Sequence, residues 1–143
     1  LRGRWETLSL QPLTICDTGH NSHGIRYVAE QLTSLLAHQR QQSESATLHI
    51  ILGMVNDKDI NQVLALLPDD ATYYFTQPNT PRALPSEQIY NRWKNLHPHH
   101  NFSAFYQAAT DALTQAQHLA QPMDIIFIGG SNYLVGELLS NYQ

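Results

Sequence analysis

The sequence predicts an α/β fold with a mostly parallel sheet of about six strands and helices on both faces. Short apolar runs, typical of buried strands, alternate with longer segments whose apolar residues recur at helical spacing. A chain of 143 residues has the usual length of one domain, and no internal repeat or low-complexity tract interrupts the alternation. With right-handed crossovers between parallel strands, this order of elements gives a three-layer, Rossmann-like sandwich.

Each predicted strand is a short run of apolar or β-branched residues bounded by turn-forming residues. The runs from Leu48 to Leu52 and from Ile125 to Ile128 are almost continuously apolar, as expected for strands buried on both faces of a parallel sheet. The shortest run is interpreted as an edge strand. The predicted strands cover residues 5–10, 13–17, 46–54, 71–77, 103–106 (the edge strand) and 123–128.

Helices are predicted where apolar residues recur every three or four positions, beginning with residues 22 to about 41. Asn21 or Ser22 is suited to cap the first helix, and Ser86 is suited to cap the third. Pro122 ends the fourth, because proline cannot continue the helical hydrogen-bond pattern. The other predicted helices cover residues 60–67, a segment from Ser86 to Leu96, residues 108 to about 120, and a final segment carrying Leu134, Val135, Leu138 and Leu139.

The composition argues against several classes of protein. A formal charge of −4 argues against a nucleic-acid binder, because neutralising phosphates requires a basic surface. No apolar run approaches the roughly 20 residues that span a bilayer, so no membrane association is expected. The single cysteine, Cys16, lies in an apolar run, which predicts a buried, inert thiol and a cytoplasmic protein. The chain opens on Leu1 and motif-like residues, so we expect it to be a piece of a longer protein.

The most informative segment follows the second predicted strand directly. That strand ends on Asp17, and a turn with Gly19 leads to His20 and Asn21 at the start of the first helix. Ligands bind at this edge of open α/β sheets, because loops and helix N-termini converge there. We therefore predict a nucleotide- or phosphate-facing site, in which Asp17 accepts hydrogen bonds from a ribose and His20 lies near phosphate. The alternatives are that Asp17 caps the helix or pairs with Arg4, that His20 is a surface residue, and that Asn21 only shapes the loop.

Two further segments are candidates for the same site. Gly129 and Gly130 connect the last predicted strand to the last helix, and two glycines allow a ligand or another backbone to approach closely. This is not a Walker-type phosphate loop, because no Gly-Lys-Ser or Gly-Lys-Thr follows. Ser131 either caps the final helix or contacts a ligand. Arg4 offers planar, bidentate contacts, although a single arginine is usually a solvated charge.

The remaining polar segments are weaker candidates. The acidic segment 57–59 follows the third predicted strand, and such a pair at a helix start usually serves capping. Arg82, after the fourth strand, is a candidate of similar weight. The histidine segment 97–100 predicts a broken surface loop rather than a metal site, because Pro98 divides it and no cysteine or carboxylate flanks it. A nucleophilic serine lacks support, since no Gly-x-Ser-x-Gly elbow occurs.

Taken together, these segments resemble the C-terminal domain of folylpolyglutamate synthase, which is often bifunctional with dihydrofolate synthase and belongs to the Mur ligase superfamily. The resemblance covers essentially the whole chain, and we predict that residues 1–143 form one such domain. Its most specific element is the Asp-x-x-His-Asn pattern and its spacing from Gly-Arg-Trp. Where the family usually has Gly-Ala and a following proline, this chain has Thr18-Gly19 and Ser22. The carrying residues are Gly3, Arg4, Trp5, Asp17, Thr18, Gly19, His20, Asn21, Asp57, Lys58, Asp59, Arg82, Ala83, Leu84, Pro85, Gly130 and Ser131.

The resemblance implies a ligase whose C-terminal domain closes over ATP held by an N-terminal ATPase domain. It implies that Arg4, Asp17 and Asn21 bind ATP, and that His20 and Ser131 face the γ-phosphate and the incoming L-glutamate. ATP would phosphorylate a carboxylate of reduced folate or dihydropteroate, and the glutamate amine would attack the acyl phosphate. The phosphate-binding loop and the Mg²⁺ ligands belong to the N-terminal domain in this family, so the isolated chain is expected to fold without activity.

Two other functions are compatible with the same residues. The chain could be the C-terminal domain of a cell-wall Mur ligase, although no additional basic clamp for a diamino acid is evident. It could also be a non-catalytic α/β binding module in which the loop of Asp17 and His20 only caps a helix. This last function requires that Arg4, Asp17, His20 and Ser131 do not converge on one edge of the sheet.

Overall fold

The computed structural model describes residues 2–55 and 59–142, and it confirms the α/β sandwich that the sequence predicts. The described residues form six strands, five α-helices and a final 3-10 turn. The strands are β1 (Glu6–Leu10), β2 (Leu13–Asp17), β3 (Leu48–Gly53), β4 (Thr72–Thr76), β5 (Ser103–Phe105) and β6 (Ile125–Gly129). The helices are α1 (Ser22–Gln42), α2 (Ile60–Leu66), α3 (Ser86–Leu96), α4 (Ala109–Leu119) and α5 (Asn132–Leu139), followed by the turn Ser140–Tyr142.

The sheet is mostly parallel, with the strand order β1-β2-β6-β3-β4-β5. Strands β2 to β6 are mutually parallel, whereas β1 pairs antiparallel with β2 as an edge hairpin. β6, the last strand in the chain, lies between β2 and β3, so that Phe127 is in register with both Ile15 and Ile50. The same register pairs Asp17 with Gly129 at the carboxyl ends of β2 and β6. The loops that follow these two strands are therefore neighbours.

Two hydrophobic clusters cover the two faces of the sheet, which explains the three layers. Consecutive strand residues point to opposite faces, so Ile50 belongs to one cluster and Ile51 to the other. Helices α1, α2 and α3 cover the first face, and α4 and α5 cover the second. The helical members of the first cluster include Ile25, Val28, Leu32, Val63, Leu64, Ile89 and Trp93. The helical members of the second are Ala109, Ala112, Leu113, Ala116, Leu134, Val135 and Leu138.

The first residues of β1 and α3 differ from those that the sequence predicts. Trp5 was expected in the first strand, but its φ of +44° is incompatible with extended backbone, and β1 begins at Glu6. Ser86 was expected to cap α3, but it is the first residue of that helix and Pro85 occupies the cap position. The buried Ser86 instead donates its backbone N–H to Oε1 of Gln77, 2.9 Å away.

Within the described residues, no helix combines the length and apolar character needed to cross a membrane.

The amino edge of the sheet carries a buried polar network. His49 lies between two partners, with Nδ1 2.8 Å from the hydroxyl of Tyr74 and Nε2 2.9 Å from Oδ2 of Asp124. Asp124 also accepts the backbone N–H groups of Thr47 and Gln121. Buried polar groups are stabilising only when they are hydrogen-bonded, and this network meets that condition. It joins β3, β4 and the start of β6 at the end of the sheet opposite the predicted site.

Two glycines at the end of β6 allow the carboxyl edge to pack tightly. Gly130 has a φ of +98°, and a β-carbon at this position would lie 2.6 Å from the carbonyl oxygen of Gly53. At Gly129 a β-carbon would lie 2.5 Å from the ring of Phe127. The turn from β6 into α5 therefore requires residues without side chains.

Replacing Gly130 with alanine is expected to lower the free energy of unfolding by about 1–3 kcal/mol, because alanine disfavours the positive φ and would clash with Gly53. The matched control is Gly136→Ala in α5, where no atom other than the neighbouring residues and the backbone of the same helix lies within 4 Å of the added carbon. This control is expected to raise the free energy of unfolding by about 0.5–1 kcal/mol, since alanine is the better helix former. Urea unfolding of the three proteins measures both effects, and equal midpoints for the two variants would contradict the packing argument.

Burial raises the pKa of the Cys16 thiol from 9.0 to about 11. Well below pH 9 the thiol is neutral in both folded and unfolded chains, so it does not affect stability there. Between pH 9 and 11 the unfolded thiol ionises while the folded thiol stays protonated, so the free energy of unfolding is expected to fall. Urea unfolding across this range should show a smaller fall for Cys16→Ala than for the wild type. Equal falls would contradict the burial of a neutral thiol.

Candidate functional site

A surface cleft of about 680 Å³ lies at the carboxyl edge of the sheet, where the loop from β2 to α1 meets the N-terminal segment. The cleft brings together four of the five predicted site residues, and only Ser131 lies outside its lining. The lining residues are Arg4, Trp5, Asp17, Thr18, Gly19, His20, Asn21, His23, Gly24 and Tyr27.

The half-buried carboxylate of Asp17 joins the two segments that form the cleft. Its Oδ2 accepts the backbone N–H of Trp5 at 2.8 Å, and its Oδ1 accepts the backbone N–H of Gly19 at 2.8 Å. A parallel link runs from the N–H of Thr18 to the carbonyl of Gly3, at 2.8 Å. Asp17 therefore neither caps α1 nor pairs with Arg4, the two alternatives that the sequence left open. A carboxylate has about four acceptor positions, so two remain for a ligand hydroxyl.

The N-terminal segment presents Arg4 to solvent from a constrained backbone. Arg4 lies between Gly3, with a φ of +82°, and Trp5, with a φ of +44°. The Trp5 backbone is held by Asp17, and its ring lies against Phe127 of β6 with the ring centroids 6.3 Å apart. The Arg4 side chain is exposed and makes no ion pair or hydrogen bond with the residues that the structure describes. Its guanidinium is therefore available to an anionic ligand.

The same segment contains a carboxylate with a lowered pKa, that of Glu6. Glu6 accepts the N–H of Gly3 at 2.7 Å and the Nε–H of Arg2, and these two bonds hold the pKa of its carboxyl below the ordinary value. The carboxylate of Glu6 is therefore charged and is engaged by Arg2 and the backbone of Gly3.

His20 and Asn21 occupy the start of α1. Asn21 is the N-cap, because its Oδ1 accepts the N–H of Gly24 at 2.9 Å. This confirms one of the two caps expected from the sequence. His20 precedes the cap with an exposed ring, whose Nδ1 is 3.4 Å from the carbonyl oxygen of Thr18. The positive end of the α1 dipole and this imidazole therefore face the same cleft, which suits a negatively charged group.

Ser131 lies at the same edge of the sheet but has a different environment. It is 1% exposed, and its hydroxyl caps α5 by accepting the N–H of Tyr133 at 3.0 Å. This confirms the capping alternative. Because Gly130 turns the chain sharply after β6, the Ser131 side chain lies under the start of the helix rather than in the cleft.

Arg82, a weaker candidate, follows β4 at the same edge of the sheet. Arg82 is exposed and its Nη1 donates to the hydroxyl of Tyr133 at 3.1 Å. Asp57 and Lys58 lie outside the described residues. Asp59 immediately precedes α2, and its carbonyl accepts the N–H of Val63 at 2.9 Å.

The histidine segment 97–100 forms a turn at the amino edge of the sheet, whereas the cleft lies at the carboxyl edge. His97 has Nδ1 2.7 Å from a carboxylate oxygen of Asp69 and Nε2 3.1 Å from the carbonyl of Leu64. Nε2 of His100 lies 2.8 Å from the carbonyl of Ala71. These side chains join the α3–β5 turn to the rest of the fold. Across residues 2–55 and 59–142, no group of three His, Cys, Asp or Glu side chains is arranged to hold a metal ion.

Two side chains that line the cleft were missed by the sequence reasoning. His23 and Tyr27 lie four positions apart on the exposed face of α1, and Tyr27 is 57% exposed. Residues four apart share one helix face, so both side chains follow His20 along the cleft. The available signal was that Tyr27 falls outside the helical spacing of Ile25, Val28 and Leu32, which places its ring off the apolar face of the helix that begins at the motif.

The fold and the cleft define an α/β domain with a surface cleft between its N-terminal segment and the loop that follows β2, at the carboxyl edge of the sheet. The family described as "Mur ligase, glutamate ligase domain" matches residues 3–132, and the chain belongs to this family. It is homologous to the C-terminal region of folylpolyglutamate synthase/dihydrofolate synthase.

The similar proteins carry related names. The chain is 30% identical over 138 residues to a dihydrofolate synthase/folylpolyglutamate synthase of Buchnera aphidicola subsp. Baizongia pistaciae, which covers 96% of the chain and 30% of that protein. The corresponding protein of Escherichia coli is 26% identical over 140 residues, covering 97% of the chain and 30% of that protein. The chain thus spans about a third of the length of these relatives.

The solved structures show the same relationship. A ligand-free bifunctional folylpolyglutamate synthase/dihydrofolate synthase from Yersinia pestis superposes with a TM-score of 0.81 at 25% identity, covering 99% of this chain and 31% of that one. A complex of the Yersinia pestis protein with AMPPNP and a Mn ion gives a TM-score of 0.77 at 27% identity, with the same coverage.

Replacing Asp17 with alanine is expected to lower the free energy of unfolding by about 2–3 kcal/mol, because two backbone N–H groups lose a charged acceptor. Asp17→Asn should lower it by a smaller amount, since its single carbonyl oxygen can accept one of the two bonds. Urea unfolding measures the loss, and amide chemical shifts of Trp5 and Gly19 report the loop. Glu44→Ala, at an exposed loop position, is the control and should change stability by less than about 0.5 kcal/mol. An unchanged midpoint for Asp17→Ala would show that the carboxylate does not hold the cleft together.

Proposed function

We propose that this chain is the C-terminal domain of an ATP-dependent ligase of the folylpolyglutamate synthase type, which adds L-glutamate to a reduced folate. The observation that carries the proposal is the convergence of Arg4, Asp17 and His20 on one cleft at the carboxyl edge of the sheet. Membership of the Mur ligase family and the names of the relatives support the same function. Residues 1–143 would form a single domain that closes over an N-terminal ATPase domain of the same polypeptide.

The cleft has the polar groups that a nucleotide requires. We assign Arg4 to the phosphates or the base of ATP, because its guanidinium is exposed and has no acidic partner among the described residues. Asp17 keeps two acceptor positions, which fit the hydroxyl groups of a ribose. The Asn21 amide nitrogen is free to donate to the nucleotide while its oxygen caps α1. A related protein from Yersinia pestis is complexed with AMPPNP, which is consistent with this assignment.

His20 and Ser131 have different parts in the proposal. We assign His20 to the γ-phosphate, because its exposed ring lies at the positive end of α1 and can donate to a phosphoryl oxygen. Direct contact of Ser131 with the γ-phosphate or glutamate, which the family resemblance implies, stays a prediction. Its buried hydroxyl supports a positioning role, since it fixes the start of α5 beside the loop of Asp17.

The reaction that we propose is amide formation through an acyl phosphate. ATP supplies the phosphoryl group that activates a carboxylate of reduced folate or dihydropteroate, and the amine of L-glutamate then displaces phosphate. The residues of this chain bind, orient and exclude water when the domain closes, and these effects suit a reaction that depends on alignment and charge stabilisation. A related structure contains Mn, AMPPNP and L-glutamate. We assign the Mg²⁺ ligands to the N-terminal domain and the protein to the cytoplasm.

The test uses the complete ligase polypeptide and measures glutamate addition to reduced folate. Arg4→Ala and His20→Ala are each expected to lower kcat/KM by about 10- to 100-fold, because each removes a charge-assisted hydrogen bond to a phosphate. Urea midpoints of the variants should match the wild type, since both side chains are exposed. The matched controls are Arg92→Ala and His118→Ala, which alter exposed residues of α3 and α4 outside the cleft lining.

Each other outcome points to a different function. Normal turnover in both variants would remove the site assignment. Addition of an amino acid to UDP-muramyl substrates in place of folates would identify a cell-wall ligase. No ligation with either substrate would support a non-catalytic binding module.

A further inference from the structure

The turn that carries Arg4 is held by carboxylates on both sides of that residue. On one side, Gly3 donates its N–H to Oε1 of Glu6 at 2.7 Å. On the other side, Trp5 donates its N–H to Oδ2 of Asp17 at 2.8 Å. Arg4 takes part in neither bond, so its side chain remains at the cleft while the backbone around it is fixed.

The conformation of Gly3 requires this support. Its φ is +82°, and a β-carbon added here would lie 2.9 Å from Cγ2 of Thr18, so the turn approaches the loop after β2 closely. The carbonyl of Gly3 accepts the N–H of Thr18 at 2.8 Å, and its N–H is bound by Glu6. Glycine loses more conformational freedom on ordering than any other residue, and the bond to Glu6 offsets part of that cost.

Glu6 belongs to a regular element of the fold. It is the first residue of β1, where it pairs with Cys16 of β2, and its side chain is 25% exposed. Asp17 follows Cys16 at the end of β2. The two carboxylates that hold the turn therefore both come from the β1–β2 hairpin, which is part of the hydrogen-bonded sheet.

The charge of Glu6 is balanced by Arg2 rather than by Arg4. Nε of Arg2 lies 3.0 Å from Oε2 of Glu6. The bonds from Gly3 and Arg2 hold the pKa of the Glu6 carboxyl below its ordinary value, so that it is ionised near neutral pH. Within residues 2–55 and 59–142, Arg4 makes no ion pair, which leaves its guanidinium to a ligand.

We propose that Glu6 is a positioning residue for nucleotide binding, which fixes the N–H of Gly3 and thereby holds Arg4 where it meets ATP. This inference rests on the ligase function proposed above. Glu6 is not among the residues that line the cleft, so its effect is exerted through Arg4 and not by contact with the nucleotide. Fixing the backbone of an arginine before binding lowers the entropic cost of ordering it on the ligand.

The test is steady-state kinetics of the complete ligase polypeptide, with ATP and L-glutamate varied in turn. Glu6→Ala is expected to raise the KM for ATP by about 3- to 10-fold, because Gly3 loses a charged acceptor. The kcat and the KM for L-glutamate should stay within about twofold, since Arg4 is assigned to ATP alone. Glu6→Gln should raise the KM for ATP less than Glu6→Ala does, because the carboxamide oxygen can still accept the N–H.

The matched control is Glu44→Ala, which removes an exposed carboxylate in the loop between α1 and β3, outside the cleft lining. It should leave all three kinetic constants unchanged.

A double-mutant cycle determines whether Glu6 acts through Arg4. In the Arg4→Ala background, Glu6→Ala is expected to change the KM for ATP by less than about twofold, because the side chain that it positions is absent. A structural role that is independent of Arg4 would give the same rise in both backgrounds.

The outcomes separate this inference from the proposed function. If Arg4→Ala raises the KM for ATP and Glu6→Ala does not, the inference is overturned and the ligase function stands. Equal rises from Glu6→Ala with and without Arg4, or equal rises from Glu6→Ala and Glu6→Gln, would also overturn it. A wild type that ligates no glutamate would overturn the proposed function and this inference together. Urea unfolding accompanies the kinetics, and Glu6→Leu, which keeps bulk without an acceptor, provides the measurement if Glu6→Ala is unstable.

Discussion

The double hydrogen bond of the Asp17 carboxylate is the constraint on which the cleft at the carboxyl edge depends. One oxygen holds the N–H of Trp5 and the other holds the N–H of Gly19, so that two segments distant in sequence are fixed against each other. The positive φ of Trp5 is unfavourable by itself and persists because the surrounding contacts hold it. Arg4 and His20 thereby acquire a common cleft, and Asp17 combines a structural role with free acceptor positions for a ligand.

The polar side chains at the two edges of the sheet differ in whether their hydrogen-bonding groups are satisfied within the domain. The amino edge contains closed networks, such as His49 with Asp124, in which buried polar groups satisfy one another. The carboxyl edge instead exposes groups with unused donors or acceptors, among them Arg4 and the Arg82–Tyr133 pair. Glycines at the end of β6 let the loops of that edge approach closely. This division matches the general behaviour of open α/β sheets, in which ligands bind beyond the carboxyl ends of the strands.

Local sequence signals predicted most of the elements and two of the caps. Apolar runs identified the buried strands, because a strand covered on both faces consists mostly of apolar residues. Asn21 and Ser131 were recognisable as caps, since their short polar side chains accept a nearby backbone N–H. The same rule failed at Ser86, where Gln77 from the preceding loop binds the backbone and the serine enters the helix. A local propensity was overridden there by a contact from nine residues away.

The sequence by itself determined the alternation of strands and helices, the buried Cys16 and the polar motif after β2, because each depends on neighbouring residues and on hydrophobic periodicity. Only the tertiary structure decided that β6 lies in the centre of the sheet, that β1 runs antiparallel, and that Asp17 holds the N-terminal segment. It also decided that His23 and Tyr27 line the cleft while Ser131 does not. These features depend on contacts between residues far apart in the chain, whose pairing no local pattern specifies, and on backbone turns at Gly3 and Gly130 that direct side chains toward or away from one site.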